Sequence, residues 1–131
     1  MHIDGIDHFV LTVASIDEAC AFYQRVLGMT VVSFGEGRKA IAFGSQKINL
    51  HLAGSEFVPH AHRPVPGSAD FCLFTSLPLD ECIAHVRAQG VDILLGPVDR
   101  NGATTRLRSF YFRDPDQNLV EVSNRVPAET A

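Results

Sequence analysis

Cysteine is scarce in this chain of 131 residues: there are three, Cys20, Cys72 and Cys82, with no C-x-x-C pair among them. An odd, dispersed set argues against a disulfide framework and against a zinc-thiolate site, so these thiols are expected to be reduced and buried. Positive charge is also short. Lys and Arg number 11 against 15 Asp and Glu, a formal net charge of -4, which leaves no basic footprint for nucleic acid or an anionic membrane surface. No apolar run approaches the ~20 residues that span a bilayer. The opening "MHIDGIDHFV" lacks the cationic-then-apolar order of a secretory signal, so a cytoplasmic location is expected. Hydrophobic residues at 46% and charged residues at 20% are ordinary for a folded protein. The length suits one domain, or two small joined halves.

Hydrophobic periodicity supplies the elements. "IDHFVLTV" at 6–13 has the β-branched and aromatic content of a strand. Ser15 with Glu18 fits a capping box ahead of an apolar stripe (Ile16, Ala19, Cys20, Tyr23, Val26, Leu27), and Gly28 stops that helix. Strands are expected at 30–34, 38–43 and 47–52, separated by turn-like "GEG" and "GSQ". The segment 53–67, rich in proline, reads as a connecting loop. A second round follows: a strand at 69–75, a helix at 79–89 ended by Gly90, and strands at 91–95, 104–112 and 118–123, with a tail from 125 expected to fray.

The second round repeats the first. His8 aligns with Asp70, Phe9 with Phe71, Leu11 with Leu73 and Gly28 with Gly90, all at an offset of 62 residues. The last strand is matched as His51 against Glu121. This predicts an α+β fold of two tandem β-α-β-β-β modules, about 1–53 and 68–124, with mainly antiparallel sheets and the loop 54–67 between them.

Several polar side chains interrupt the strands. His8 shares parity with Val10 and Thr12, and His51 alternates with Leu50 and Leu52. Taken alone, each has an ordinary explanation: a wet sheet face for His8, His51 and Glu121, a polar strand start for Asp70. His60 and His62 in "PHAHRPVP" form an H-x-H pattern for which solvated surface is the simpler reading. His2 and His85 have no visible partner, and Gln46 and Lys47 read as turn residues.

The paired modules, together with "DHFVLTV", "AFYQRVLGMTVV" and "FYFRDPDQNLVEVSN", resemble the vicinal oxygen chelate superfamily, which includes glyoxalase I, extradiol dioxygenases, fosfomycin-resistance enzymes and bleomycin-binding proteins. The resemblance runs to about Asn124. Its most specific pieces are FY-x-x-x-LG (Phe22, Tyr23, Leu27, Gly28) and "FRDPDQNLVE", where Gln117 stands in place of the usual glycine. A left-handed residue with a side chain costs about 1 kcal/mol there.

The resemblance implies a metal-binding cup, with ligands from the first and last strands of each module: His8, His51, Asp70 and Glu121. Two imidazoles and two carboxylates suit Zn, Ni, Mn or Fe(II). If Asp70 is too short, His8, His51 and Glu121 remain as a two-His, one-carboxylate face. A small oxygenated substrate chelated to that ion implies lyase or isomerase chemistry, with Glu121 as the catalytic acid-base group. Pairing Arg113 with Asn118 sets Glu121 opposite Phe110, and places Phe110, Arg108 and Arg106 as substrate-side residues. The alternatives are an Fe(II) dioxygenase and a bleomycin-type protein that sequesters a ligand without catalysis. Relatives of this length imply a homodimer.

Overall fold

The computed structural model describes residues 1–127. The chain divides into two compact units, Met1–Ser68 and Ala69–Ala131.

In the first unit the elements are β1 (His8–Val13), α1 (Ile16–Leu27), β2 (Thr30–Phe34), β3 (Arg38–Phe43) and β4 (Gln46–Leu52). Ser15 caps α1 as its spacing predicts, its Oγ accepting from the Glu18 N–H at 3.2 Å. Gly28 ends the helix in the left-handed conformation, φ 67°, which costs glycine nothing. The strand order is β1-β4-β3-β2, with β1 parallel to β4 and the other pairs antiparallel. Leu11, Val13, Ile41, Ile48 and Leu50 turn one face of this sheet toward Tyr23, Phe22 and Val26 of α1, and all are buried. The opposite face, by the period of two, carries His8, Val10, Thr12, Lys47, Asn49 and His51.

The second unit repeats the design with β5 (Asp70–Phe74), α2 (Leu79–Ala88), β6 (Leu95–Asn101), β7 (Arg106–Arg113) and β8 (Leu119–Arg125), in the order β5-β8-β7-β6. Again the first and last strands are parallel. Each sheet is therefore mixed, which refines the expectation of mainly antiparallel pairing. Phe110, Phe112, Val120 and Val122 form the buried face with Ile83 and Val86 of α2.

One strand is displaced. The run 91–95 was expected to be extended, but β6 begins at Leu95 and continues through Pro97. Proline survives because β6 is the sheet edge, where one row of backbone donors has no partner strand. The register slips between Leu95 and Val98. Gly96, φ +123°, lets the chain pass so near Phe110 that a Cβ would lie 2.6 Å from its Cα.

The "DPDQN" turn between β7 and β8 is held by Asp114, whose carboxylate accepts from the backbone N–H groups of Asp116 and Asn118 and from the Asn118 side-chain amide. Gln117 takes φ 70°, the left-handed geometry expected there. The expected fraying tail begins with Arg125, which still belongs to β8, and the Val126 N–H donates to Arg106 O. Residues 128–131 lie outside the described residues. No helix among the described residues is long and apolar enough to cross a membrane.

Candidate functional site

The strand registers decide which polar residues correspond. In the first unit Asn49 pairs with Val10, and His51 pairs with Thr12. In the second, Glu121 pairs with Cys72 and Ser123 with Phe74's register row. Measured from the opening strand, Asn49 is thus the counterpart of Glu121. The match of His51 with Glu121 is corrected by two residues. His51 also lies four residues along the ladder from His8, about 13 Å at ~3.3 Å per residue. Two imidazoles so far apart on one sheet cannot close on a single ion.

A repeated diagonal remains. His8 and Asn49 stand on neighbouring strands two residues out of step, as do Asp70 and Glu121, a separation long side chains can bridge. His8 is exposed, and its Nδ1 lies 2.8 Å from Asp7 Oδ1. An imidazole that donates Nδ1–H to a carboxylate keeps the Nε2 lone pair outward, the orientation used by metal-binding histidines. Asn49 is buried, and its Oδ1 has no hydrogen-bond partner. Asp70 is exposed and forms no ion pair among the described residues.

Glu121 is half-buried and accepts from Ser123 Oγ at 3.3 Å. Around it runs a hydrogen-bonded row that the sequence reading missed. Ser123 Oγ is 2.6 Å from Ser109 Oγ and 3.1 Å from Cys72 Sγ, and Arg100 Nε donates to Tyr111 Oη at 2.8 Å. Tyr111 is the direct cross-strand partner of Glu121. Burial and the Glu121 carboxylate push the Tyr111 phenol up, partly opposed by Arg100. Desolvation likewise raises the Cys72 thiol, the hydrogen bond to Ser123 opposing it. Both shifts favour the protonated form beside a carboxylate. Cys72 is exposed, against the expectation of burial; Cys20 and Cys82 are buried.

The register also corrects the substrate-side residues. Arg113 pairs with Leu119, not Asn118, so Glu121 faces Tyr111 and Phe110 pairs with Val122. A one-residue slip exchanges the faces. Phe110 is fully buried in the core. Arg108 and Arg106 lie on the helix side, bound to Asp99 at 3.0 and 3.5 Å, and Arg108 borders a cleft with Leu79 and Ile83 of α2.

In the first unit the buried imidazole of His51 has Arg38 Nη2 3.4 Å from its Nε2, and its ring meets Phe57 edge-on at 5.4 Å. The Arg38 guanidinium lies over both Phe57, at 4.4 Å, and Phe34, at 5.0 Å. Lys47 Nζ is 3.6 Å from the Phe34 ring centre. Burial first, then Arg38, lowers the His51 pKa below the ordinary value, which favours the neutral ring. Beside it opens a pocket of about 470 Å³ walled by Val10, Thr12, Pro59, His60 and Pro64. His60 thus borders a cavity, though its side chain remains exposed.

Among the described residues no three His, Cys, Asp or Glu side chains gather closely enough to hold a metal ion. Unit by unit, the donor types suit a divalent cation: His8 and the orphaned Asn49 oxygen in the first, and in the second the Asp70 and Glu121 carboxylates, which have no cationic partner among the described residues.

The virulence protein STM3117 of Salmonella typhimurium is 51% identical over 96% of this chain and 88% of its own. The integron cassette protein VCH_CASS1 of V. cholerae has a solved structure that superposes with a TM-score of 0.93, at 55% identity over 95% of this chain and 97% of that one. The metallothiol transferase FosB of Shouchella clausii is 27% identical over 97% of this chain and 84% of its own. Residues 5–122 match the model of the glyoxalase/bleomycin resistance protein/dioxygenase superfamily, and with the duplicated β-α-β-β-β units this establishes that the chain belongs to that family.

Proposed function

We propose that this protein is a metal-dependent enzyme of the glyoxalase type, acting on a small oxygenated molecule by lyase or isomerase chemistry. The observation that carries the reading is the repeated diagonal, His8 with Asn49 and Asp70 with Glu121. His8, Asp70 and Glu121 would hold the ion, which is Zn, Ni, Mn or Fe(II) by donor type. When bound, such an ion polarises a carbonyl or a pair of oxygens on the substrate.

The chain's own residues supply the rest. Ser123 orients Glu121 by its bond to Oε2, leaving the other oxygen to take a proton from a carbon beside a carbonyl and return it. Tyr111, kept protonated, is a donor next to that carboxylate. Family membership and the likeness to a protein named a metallothiol transferase support metal dependence. We further propose a homodimer, in keeping with the family's two-module chains.

The test is metal analysis of protein purified without chelator. A stoichiometric divalent ion is expected, lost in His8→Ala and Asp70→Ala, with Glu121→Gln keeping metal but losing turnover. Full activity in Glu121→Gln would sink the assigned role. A sequestering protein without catalysis is the second reading, favoured by the pocket beside His51. It requires ligand binding that persists in His8→Ala and after chelation.

A further inference from the structure

Phe74 is out of place on the second sheet: a large aromatic side chain, 60% exposed, at the end of β5. The Arg125 guanidinium lies over its ring, 3.6 Å from the centre. Phe74 pairs with Ser123, so Arg125 stands one step further along the same face of β8. The fold itself does not require this pair. With the units aligned on Asn49 and Glu121, Thr12 and Ala53 hold the corresponding positions in the first.

Stacking fixes the plane of the guanidinium and leaves its edge, where the five N–H donors lie, unspent. Arg125 has no carboxylate partner among the described residues. It borders an open pocket of about 820 Å³, walled by Phe74, Thr75, Ser76, Pro78, Asn124 and itself. Asn124 ties down the turn beneath, its amide donating to Thr75 O at 2.9 Å and to Leu77 O at 2.8 Å. Thr75 Oγ1 accepts from the Leu77 N–H, which leaves its own hydrogen to donate. The Ser76 hydroxyl has no partner among the described residues. No Asp or Glu belongs to these walls, so the pocket offers one fixed cation and two hydroxyl donors with no competing anion.

We infer that this pocket binds the phosphate group of a small phosphate ester. The Arg125 fork takes two phosphate oxygens and the Thr75 and Ser76 hydroxyls donate to the third, with Pro78 and the edge of Phe74 against the apolar part. Three acceptor oxygens and a charge beyond -1 match this donor set better than the two oxygens of a carboxylate. Arg125 lies four residues beyond Glu121 on β8, about 13 Å at ~3.3 Å per residue. None of these groups belongs to the proposed metal set, and the inference does not depend on that reading.

The test is ¹H–¹⁵N NMR of the full chain in EDTA, titrated separately with phenyl phosphate, benzoate and benzyl alcohol at constant ionic strength. Saturable shifts of the Thr75, Ser76 and Arg125 amides are expected with phenyl phosphate, weaker binding with benzoate, and none with benzyl alcohol. Arg125→Gln should weaken phenyl phosphate at least about tenfold, the scale of one charge-assisted hydrogen bond. Arg125→Lys keeps the charge but loses the fork, and should fall between. Ser76→Ala should cost about threefold, the scale of a neutral hydrogen bond. Arg113→Gln removes a cation from the same sheet outside the pocket and should change nothing. The inference is overturned by the absence of a saturable shift, by benzoate or benzyl alcohol binding as tightly, by wild-type affinity in Arg125→Gln, or by an equal loss in Arg113→Gln. Because EDTA removes divalent ions throughout, failure here leaves the metal reading untouched, and failure of the metal reading leaves this pocket standing.

Discussion

Where Asn49 stands in the first unit, Glu121 stands in the second, each on the last strand and opposite the third residue of the opening one. Their surroundings diverge. Glu121 sits in a row of hydroxyls and a thiol that bond to one another, from Ser109 through Ser123 to Cys72. Asn49 and His51 keep a buried oxygen and a buried nitrogen with no partner. The same backbone therefore carries one polar face whose groups bond to one another and one that keeps two buried polar atoms without a partner among the described residues. Buried polar atoms are rarely left alone without a reason, so the difference directs attention to the first unit for binding and to the second for acid-base work.

The comparison can be broken first at the cores. Phe112 and Ile41 are both fully buried, and they hold the corresponding place in β7 and β3. Phe112→Ala should cost about 3–5 kcal/mol and Ile41→Ala about 2–5 kcal/mol, read from urea melts. Equal losses would mean the two cores are equally unforgiving.

Next comes the turn, which has no equal in the first unit. Asn118→Ala removes the partner of Asp114 and of the Ala69 N–H, and should cost about 2 kcal/mol.

The third test uses pH. His51 faces Arg38, Glu56 and His60, and its pKa is depressed in the fold relative to about 6.5 in the unfolded chain. The unfolded state thus takes the proton first. Stability should be full above pH ~6.5 and fall toward the folded pKa by at most about 1.4 kcal/mol per pH unit. In His51→Gln this component should vanish; an unchanged pH slope would refute it.

The smallest effect concerns the helices. Ser15 caps α1 through its side chain, whereas Pro78 at the start of α2 offers none. Ser15→Ala should cost about 1 kcal/mol, while Pro78→Ala should lack that loss.

The element order, the duplication and the helix-facing residues were legible because each rests on a periodicity that burial enforces. The site was less so, for a reason found in the same periodicity. Asn49 and His51 have equal parity, so alternation puts both on the open face and cannot choose between them. Only the pairing with Val10 and Thr12 does. Arg108 and Phe110 fell on the wrong side because one residue of hairpin register reverses a strand. β6 escaped notice because Gly96 and Pro97 look like a break, and only its position at the edge makes them tolerable.

The parallel pairing of first and last strands also sets an order of events during synthesis. Sheet 1 lacks its central partner until residues 46–52 emerge, and every ladder it contains is then available. Its closure waits on nothing later in the chain. The second sheet must hold β5 unpaired until β8 arrives with Asn118 to fasten the Ala69 N–H. A nascent chain from which residues up to about 100 have emerged would thus carry one unit with all its strands and one unpaired opening strand, a species prone to mispairing.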